Sequence, residues 1–128
     1  MPESTEYDFT IFKDKAVVLL ELKGTITLAV LIQAAEAIYS HPDYDASFST
    51  ISEQLRAKIE ISSTDLFHYI SRLSSDPRRL QGDTVFVAED PVNYGMGRMY
   101  QNMSADEVPD NIYFAKTVDE AFAILANR

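Results

Sequence analysis

Ala16 to Leu22 is a nearly continuous apolar run of strand length, and it limits the possible folds more than any other segment. Successive side chains of a strand point to opposite faces, so a strand with one wet face alternates apolar and polar residues. A strand apolar throughout needs cover on both faces, the condition of a parallel sheet flanked by helices. Ahead of it, Tyr7, Phe9 and Ile11 alternate with Asp8 and Thr10, the pattern of a half-buried strand that ends at Lys13-Asp14-Lys15 and turns back as a hairpin. Lys23-Gly24 stops the second strand.

The rest of the chain supplies the covering helices. Thr27 caps a first helix, along which Leu28, Leu31, Ile32, Ala35 and Ile38 fall at helical spacing before Ser40-His41-Pro42. Phe48 to Leu55 is placed as a strand from its position, since Ser49, Thr50, Ser52, Glu53 and Gln54 leave it few apolar residues. Ser62 with Asp65 opens a second helix with the stripe Leu66, Ile70 and Leu73, ended by Asp76-Pro77. Thr84 to Ala88 reads as a short buried strand, followed by the Glu89-Asp90-Pro91 turn. A third helix then repeats Met96, Met99, Tyr100 and Met103 at i, i+3, i+4, i+7, and the methionines are expected in the core. Asn111 to Ala115 is the last strand. Thr117 and Glu120 form a capping box for a final helix burying Val118, Ala121, Phe122 and Leu125.

The order ββαβαβαβα implies an α/β fold with a mainly parallel sheet, an antiparallel first strand at or near one edge, and helices covering the sheet. With 128 residues, 46% of them hydrophobic, and no linker-like composition, residues 1–128 fit one domain. The formal charge of −9 disfavours nucleic acid and anionic membranes, which bind basic surfaces. The absence of cysteine excludes disulfides, thiolate chemistry and cysteine-ligated zinc. Met1 to Glu6 has neither the basic start nor the apolar stretch of a signal peptide. Apolar stretches such as Leu28 to Ile32 fall far short of the roughly 20 residues that span a bilayer. A cytoplasmic location without a membrane span is the expectation.

This order, the segment Tyr94-Gly95-Met96-Gly97-Arg98-Met99-Tyr100 after a strand, and the terminal Thr117-Val118-Asp119-Glu120-Ala121-Phe122-Ala123-Ile124-Leu125 together resemble the SpoIIAA-like family of small bacterial proteins, from about Tyr7 to Ala126. The resemblance implies a STAS-like fold, related in shape to the lipid-binding CRAL-TRIO domain, and members of the family mostly lack an established activity. The family's third strand ends in an acidic residue, an apolar residue and an arginine; here the three are Gln54-Leu55-Arg56, with the arginine kept and the acid replaced. In STAS proteins that are anti-anti-sigma factors, the second helix opens with an Asp-Ser-Ser-Gly-Leu type motif whose serine is phosphorylated. The matching stretch is Ser62-Ser63-Thr64-Asp65-Leu66, which puts Ser63 at the acceptor position, with Ser62 in place of the aspartate and Asp65 in place of the glycine. A phosphate on Ser63 would meet the unpaired amides of a helix N-terminus; an N-cap is the alternative role for Ser62 or Ser63.

Motifs that carry chemistry are scarce. Gly95-Met96-Gly97 lacks the third glycine of a dinucleotide loop, where Tyr100 stands, so the glycines are expected to let a helix start pass close to the sheet or a neighbouring chain. His41 and His68 have no partner at a metal-site spacing, and no G-x-S-x-G elbow or phosphate-binding loop occurs. Arg78-Arg79, near Arg72, reads as a solvated doublet. Arg56 and Arg98 follow strands whose ends line the usual crevice of an open α/β sheet, and with Tyr94 and Ser63 they form a candidate anion site. The alternative pairs Arg98 with Glu89 or Asp90 to brace the turn.

Three functions follow as expectations. The leading one is a non-enzymatic regulatory or interaction domain that docks a protein partner, or a second copy as a homodimer, through helices two and three, with Ser63, Asp65, Arg98, Met99 and Tyr100 in contact. The acidic surface suits a basic partner. The second is a carrier of a lipid or other small apolar molecule, lined by Phe67, Met96, Met99 and Tyr100. The third is an enzyme using Asp90, Tyr94 and Arg98. No cofactor or metal is expected.

Overall fold

In the computed structural model, which describes residues 6–79, 81–104 and 112–127, the elements follow in the expected order. They are β1 (Tyr7–Phe12), β2 (Val17–Ile26), α1 (Leu28–Tyr39), β3 (Ser49–Ile59), α2 (Ser63–Ser75), β4 (Thr84–Val87), α3 (Pro91–Ser104), β5 (Ile112–Ala115) and α4 (Val118–Asn127). They form one sheet in the order β1-β2-β3-β4-β5. β1 runs antiparallel to β2, from Tyr7 opposite Leu22 to Phe12 opposite Val17, and the other neighbours pair in parallel. The hairpin closes through Lys15 N donating to Phe12 O at 3.1 Å, with Ala16 at a φ of 57°. That left-handed conformation costs a non-glycine residue about 1–2 kcal/mol, which the pairing on either side offsets.

Because each strand lies beside its predecessor, the crossovers through α1, α2 and α3 all step in one direction across the sheet. Right-handed crossovers then put these three helices on the same face, and α4, after the last strand, covers the other. Val17, Ile51, Val85, Val87 and Ala115 pack against Ala121 and Leu125 of α4. On the three-helix face, Val18, Leu20 and Leu22 pack against Val30, Ala34 and Ile38 of α1, while Leu66, Ile70 and Leu73 of α2 form a third cluster. Each such buried side chain contributes about 1.5–3 kcal/mol relative to exposure.

The structure corrects several boundaries. β2 does not stop at Lys23-Gly24; it bulges between Glu21 and Lys23, passes through Gly24 at a φ of 78°, and continues to Ile26. Its partner β3 likewise runs past Leu55 to Ile59, since the two lengthened strands pair as far as Ile26 opposite Ile59. In α1 the fully buried line is Val30, Ala34 and Ile38, and Leu28, Leu31, Ile32 and Ala35 flank it. α3 begins earlier than expected, at Pro91. Asp90 is its cap, with Oδ1 accepting from Val92 N at 2.7 Å, and proline suits the first helical position because the amide it lacks has no intrahelical partner there. The glycines at 95 and 97 therefore lie inside α3 and not at its start. A Cβ on Gly97 would stand 2.8 Å from Phe114 Cε1, whereas one on Gly95 would meet nothing within 4 Å, so the close approach to the sheet belongs to Gly97 alone. Asn111, the expected start of β5, lies outside the described residues.

The α2 reading holds in detail. Ser62 is the cap: its Oγ accepts from Asp65 N at 3.0 Å, and the Asp65 carboxylate accepts from Ser62 N at 3.5 Å. Thr117 Oγ1 accepts from Glu120 N at 3.0 Å at the start of α4, though Glu120 reaches back to Lys116 N instead of to the cap residue itself.

Candidate functional site

β3 is the middle strand, and its side chains divide by parity. Ile51 belongs to the α4 cluster. Thr50, Ser52 and Gln54 take the opposite face, each only 7% exposed, and line a cavity of about 130 Å³ between the sheet and the three helices. Leu20 and Leu22 of β2 and Phe86 of β4 complete the floor. The roof comes from Leu31 and Ala35 of α1, Leu66 and Tyr69 of α2, and Met96 and Tyr100 of α3. An apolar cavity of about 150 Å³ accommodates benzene, so this one matches a single ring or a short chain.

The floor is not wholly apolar. Gln54 Nε2 donates to Ser52 Oγ at 3.4 Å, but Gln54 Oε1 and Thr50 Oγ1 are buried with no hydrogen-bond partner among the described residues. Leaving such an atom dry and unpaired costs about 1–3 kcal/mol. Burial raises the Tyr69 phenol well above its usual pKa, so the roof presents a neutral hydroxyl.

One wall is braced by charge. Arg78 binds both oxygens of Glu36 on α1, at 2.9 and 3.1 Å, and Asp76 at 2.9 and 3.1 Å, with its guanidinium 5.6 Å from the Tyr39 ring centre. Its carbonyl accepts from the Tyr44 hydroxyl. The Arg78 hydrogen bonds, with help from Ser40, hold the Glu36 carboxyl down at about 2, and Arg78 lowers Asp76 in the same way. The clamp ties α1 to the loop after α2. The adjacent Arg79 is half-buried and lines the cavity, so the doublet is not simply solvated.

The residues singled out from sequence scatter. Ser63 is exposed at the first position of α2, and Asp65 is held in the capping box. Arg56 lies within 3.9 Å of Glu21 and 3.7 Å of Glu53, so two carboxylates already attend it. Tyr94 and Arg98 do come together, on the Phe114 ring at 4.8 and 5.6 Å. Arg98 sits about two turns along α3 from Asp90 and forms no ion pair with Glu89 or Asp90 among the described residues. Asp90 is occupied as the α3 cap. Tyr100 faces the cavity beside Phe86, whereas Met99 is 36% and Phe67 56% exposed and neither lines it. Met96 and Met103 pack inward as expected, and Met99 does not. His41 Nδ1 accepts from Asp43 N at 3.0 Å, and His68 is exposed. Among the described residues no group of three or more His, Asp or Glu side chains could hold a metal ion, and no helix is long and apolar enough to cross a membrane.

Thr50, Gln54, Tyr69 and Arg79 were missed from sequence. The signal for two of them was the spacing of Thr50, Ser52 and Gln54 two residues apart, on one face of a strand that must lie inside the sheet.

No protein-family model matches this chain, and no curated protein matches it. Among solved structures, an uncharacterized protein from the DUF3478 family with a SpoIIAA-like fold, from Shewanella loihica PV-4, matches with a TM-score of 0.55 at 10% identity, over 98% of this chain and 98% of that one. The chain has a SpoIIAA-like fold, as the resemblance implied. At that identity the likeness carries the fold and no residue roles.

Proposed function

We propose that this domain is a non-enzymatic binding module that holds a small, largely apolar molecule between its sheet and α1, α2 and α3. One observation carries the reading: the middle strand places Thr50 and Gln54, whose Oγ1 and Oε1 are buried and without a hydrogen-bond partner among the described residues, in the lining of a cavity large enough for a single ring. A floor built for stability alone would be apolar there. A full-length lipid does not suit the site, because pockets for drug-sized ligands run to about 300–1,000 Å³. Titration of isotope-labelled protein with toluene tests the reading by NMR. Amide shifts concentrated at Leu31, Tyr69 and Met96, and lost when Ala35→Leu narrows the roof, are expected; uniform or absent shifts would remove it.

A second reading, docking of a basic protein partner or a second copy, is supported by the outer faces of α2 and α3, where Phe67 is 56%, Tyr94 44% and Met99 36% exposed. These helices also roof the cavity, so occupancy beneath them offers a route to regulate what docks above. Sedimentation of Met99→Glu and Phe67→Glu checks this reading: loss of association or partner binding supports it, and unchanged behaviour counts against it.

A further inference from the structure

We infer that the molecule taken up is a small organic acid with a hydrogen-bond donor at its far end, its carboxylate at the Arg79–Thr50 pole and its donor at Gln54. The inference rests on the cavity reading above and adds the chemical class.

Charge pairing supplies the first half of the argument. The chain carries 20 acidic and 11 basic residues, so an arginine has every chance of a carboxylate partner. Arg78 takes Glu36 and Asp76, and Arg56 lies near Glu21 and Glu53. Arg79 and Arg98 form no ion pair among the described residues, and Arg79 is the one charged side chain among those that line the cavity. A guanidinium over an apolar wall with no internal counter-ion suits an anion, and it binds a carboxylate through two parallel hydrogen bonds.

Strand register supplies the second half. Arg79 lies on the loop entering β4, and Thr84, the first residue of β4, pairs with Thr50. Arg79 and Thr50 therefore mark the same end of the floor. Gln54 is four residues further along β3, roughly 13 Å away at the rise of a strand. Its Oε1 accepts and its Nε2, bonded once to Ser52 Oγ, has a second N–H to donate, so a distal hydroxyl, which donates to the first and accepts from the second, suits it. A phenolic acid with a short side chain can seat its ring in the cavity, with its hydroxyl toward Gln54 and its carboxylate reaching out to the half-exposed Arg79.

Calorimetry at low salt with three probes tests the assignment: 3-(4-hydroxyphenyl)propanoate, its primary amide, and 3-phenylpropanoate. The hydroxylated acid is expected to bind about tenfold tighter than the amide, in line with the added strength of a charge-assisted pair. Arg79→Gln should reduce that ratio to near one, and Gln54→Leu should abolish the preference for the phenol over 3-phenylpropanoate. Circular dichroism verifies that both variants fold. Equal affinity for acid and amide, or a preference that survives Arg79→Gln, overturns the acid assignment while leaving the cavity reading intact. If neither these probes nor toluene perturbs the cavity amides, both fall, and the polar floor serves trapped water.

Discussion

The two faces of the sheet are built on different rules. Behind β3, α4 closes a layer in which Ile51, Val85 and Val87 meet Ala121 and Leu125, and the buried polar side chains of that parity, Ser49 and Glu53, are hydrogen-bonded to Asp83 N and Leu55 N. In front, three helices arch over Thr50, Ser52 and Gln54 and leave space. One strand serves both, and its parity decides which. Both faces gain stability from buried apolar side chains. The front gives some of it up, and a fold that keeps unpaired polar atoms under three helices keeps them for something other than cohesion.

The contrast can be broken or sharpened by substitution. Ile51→Ala removes a fully buried side chain from the closed face and is expected to cost about 2–5 kcal/mol in urea denaturation. Asn93→Ala comes next. Asn93 is 2% exposed, accepts from Ile59 N at 3.1 Å and donates to Ala57 O at 2.8 Å, so its loss strands buried backbone groups at about 2–3 kcal/mol. Thr50→Val, one residue from Ile51, should move stability the other way by about 1 kcal/mol, because it replaces an unpaired buried hydroxyl with a methyl. A loss of stability there would mean the hydroxyl is satisfied and would collapse the distinction between the faces. Gly95→Ala should raise stability by about 0.5–1 kcal/mol through helix propensity, while Gly97→Ala, crowding Phe114, should lose about 1 kcal/mol net by thermal denaturation.

The smallest effect concerns the exposed clamp beside the cavity. The Glu36 carboxyl is lowered from 4.5 to about 2, so its contacts with Arg78 favour the fold above pH 4.5 and lose that effect as the pH falls toward 2. The stability difference between the parent and Glu36→Gln, measured at low salt, should be constant above 4.5, shrink below it, and diminish with added salt.

What the sequence disclosed divides along a different line. The apolar run of β2, the Ser62–Asp65 capping box and the stripe Leu66, Ile70, Leu73 all came through because their determinants are local and periodic. The floor of the cavity did not. Polar residues at 50, 52 and 54 read as a weak strand, since their burial depends on three helices that arrive later in the chain. Arg79 looked solvated for the same reason, its role being set by where a loop meets β4. The start of α3 was missed although Asp90-Pro91 is a cap followed by a first-turn proline, because the methionine stripe drew the boundary too late. The scattered contact residues show the limit of motif matching: Asp90 was noticed as chemistry and is used as a cap, and Asp65, also named as a contact, is held in the capping box that its spacing from Ser62 announced.

Asn93 has a further consequence. β4 pairs with β3 only from Thr50 to Glu53, so beyond that point β3 has a bare margin within the sheet. Glu53 accepts from Leu55 N at 2.7 Å, and the Asn93 amide answers Ala57 O and Ile59 N as the peptide of an added strand would. A helix side chain thus impersonates a strand one residue long. It denies that margin to any foreign backbone seeking to extend the sheet, which is the usual route by which exposed strand edges nucleate aggregates. A long middle strand beside a short neighbour, with the cavity floor it carries, is thus covered by the Asn93 amide together with the Glu53 carboxylate.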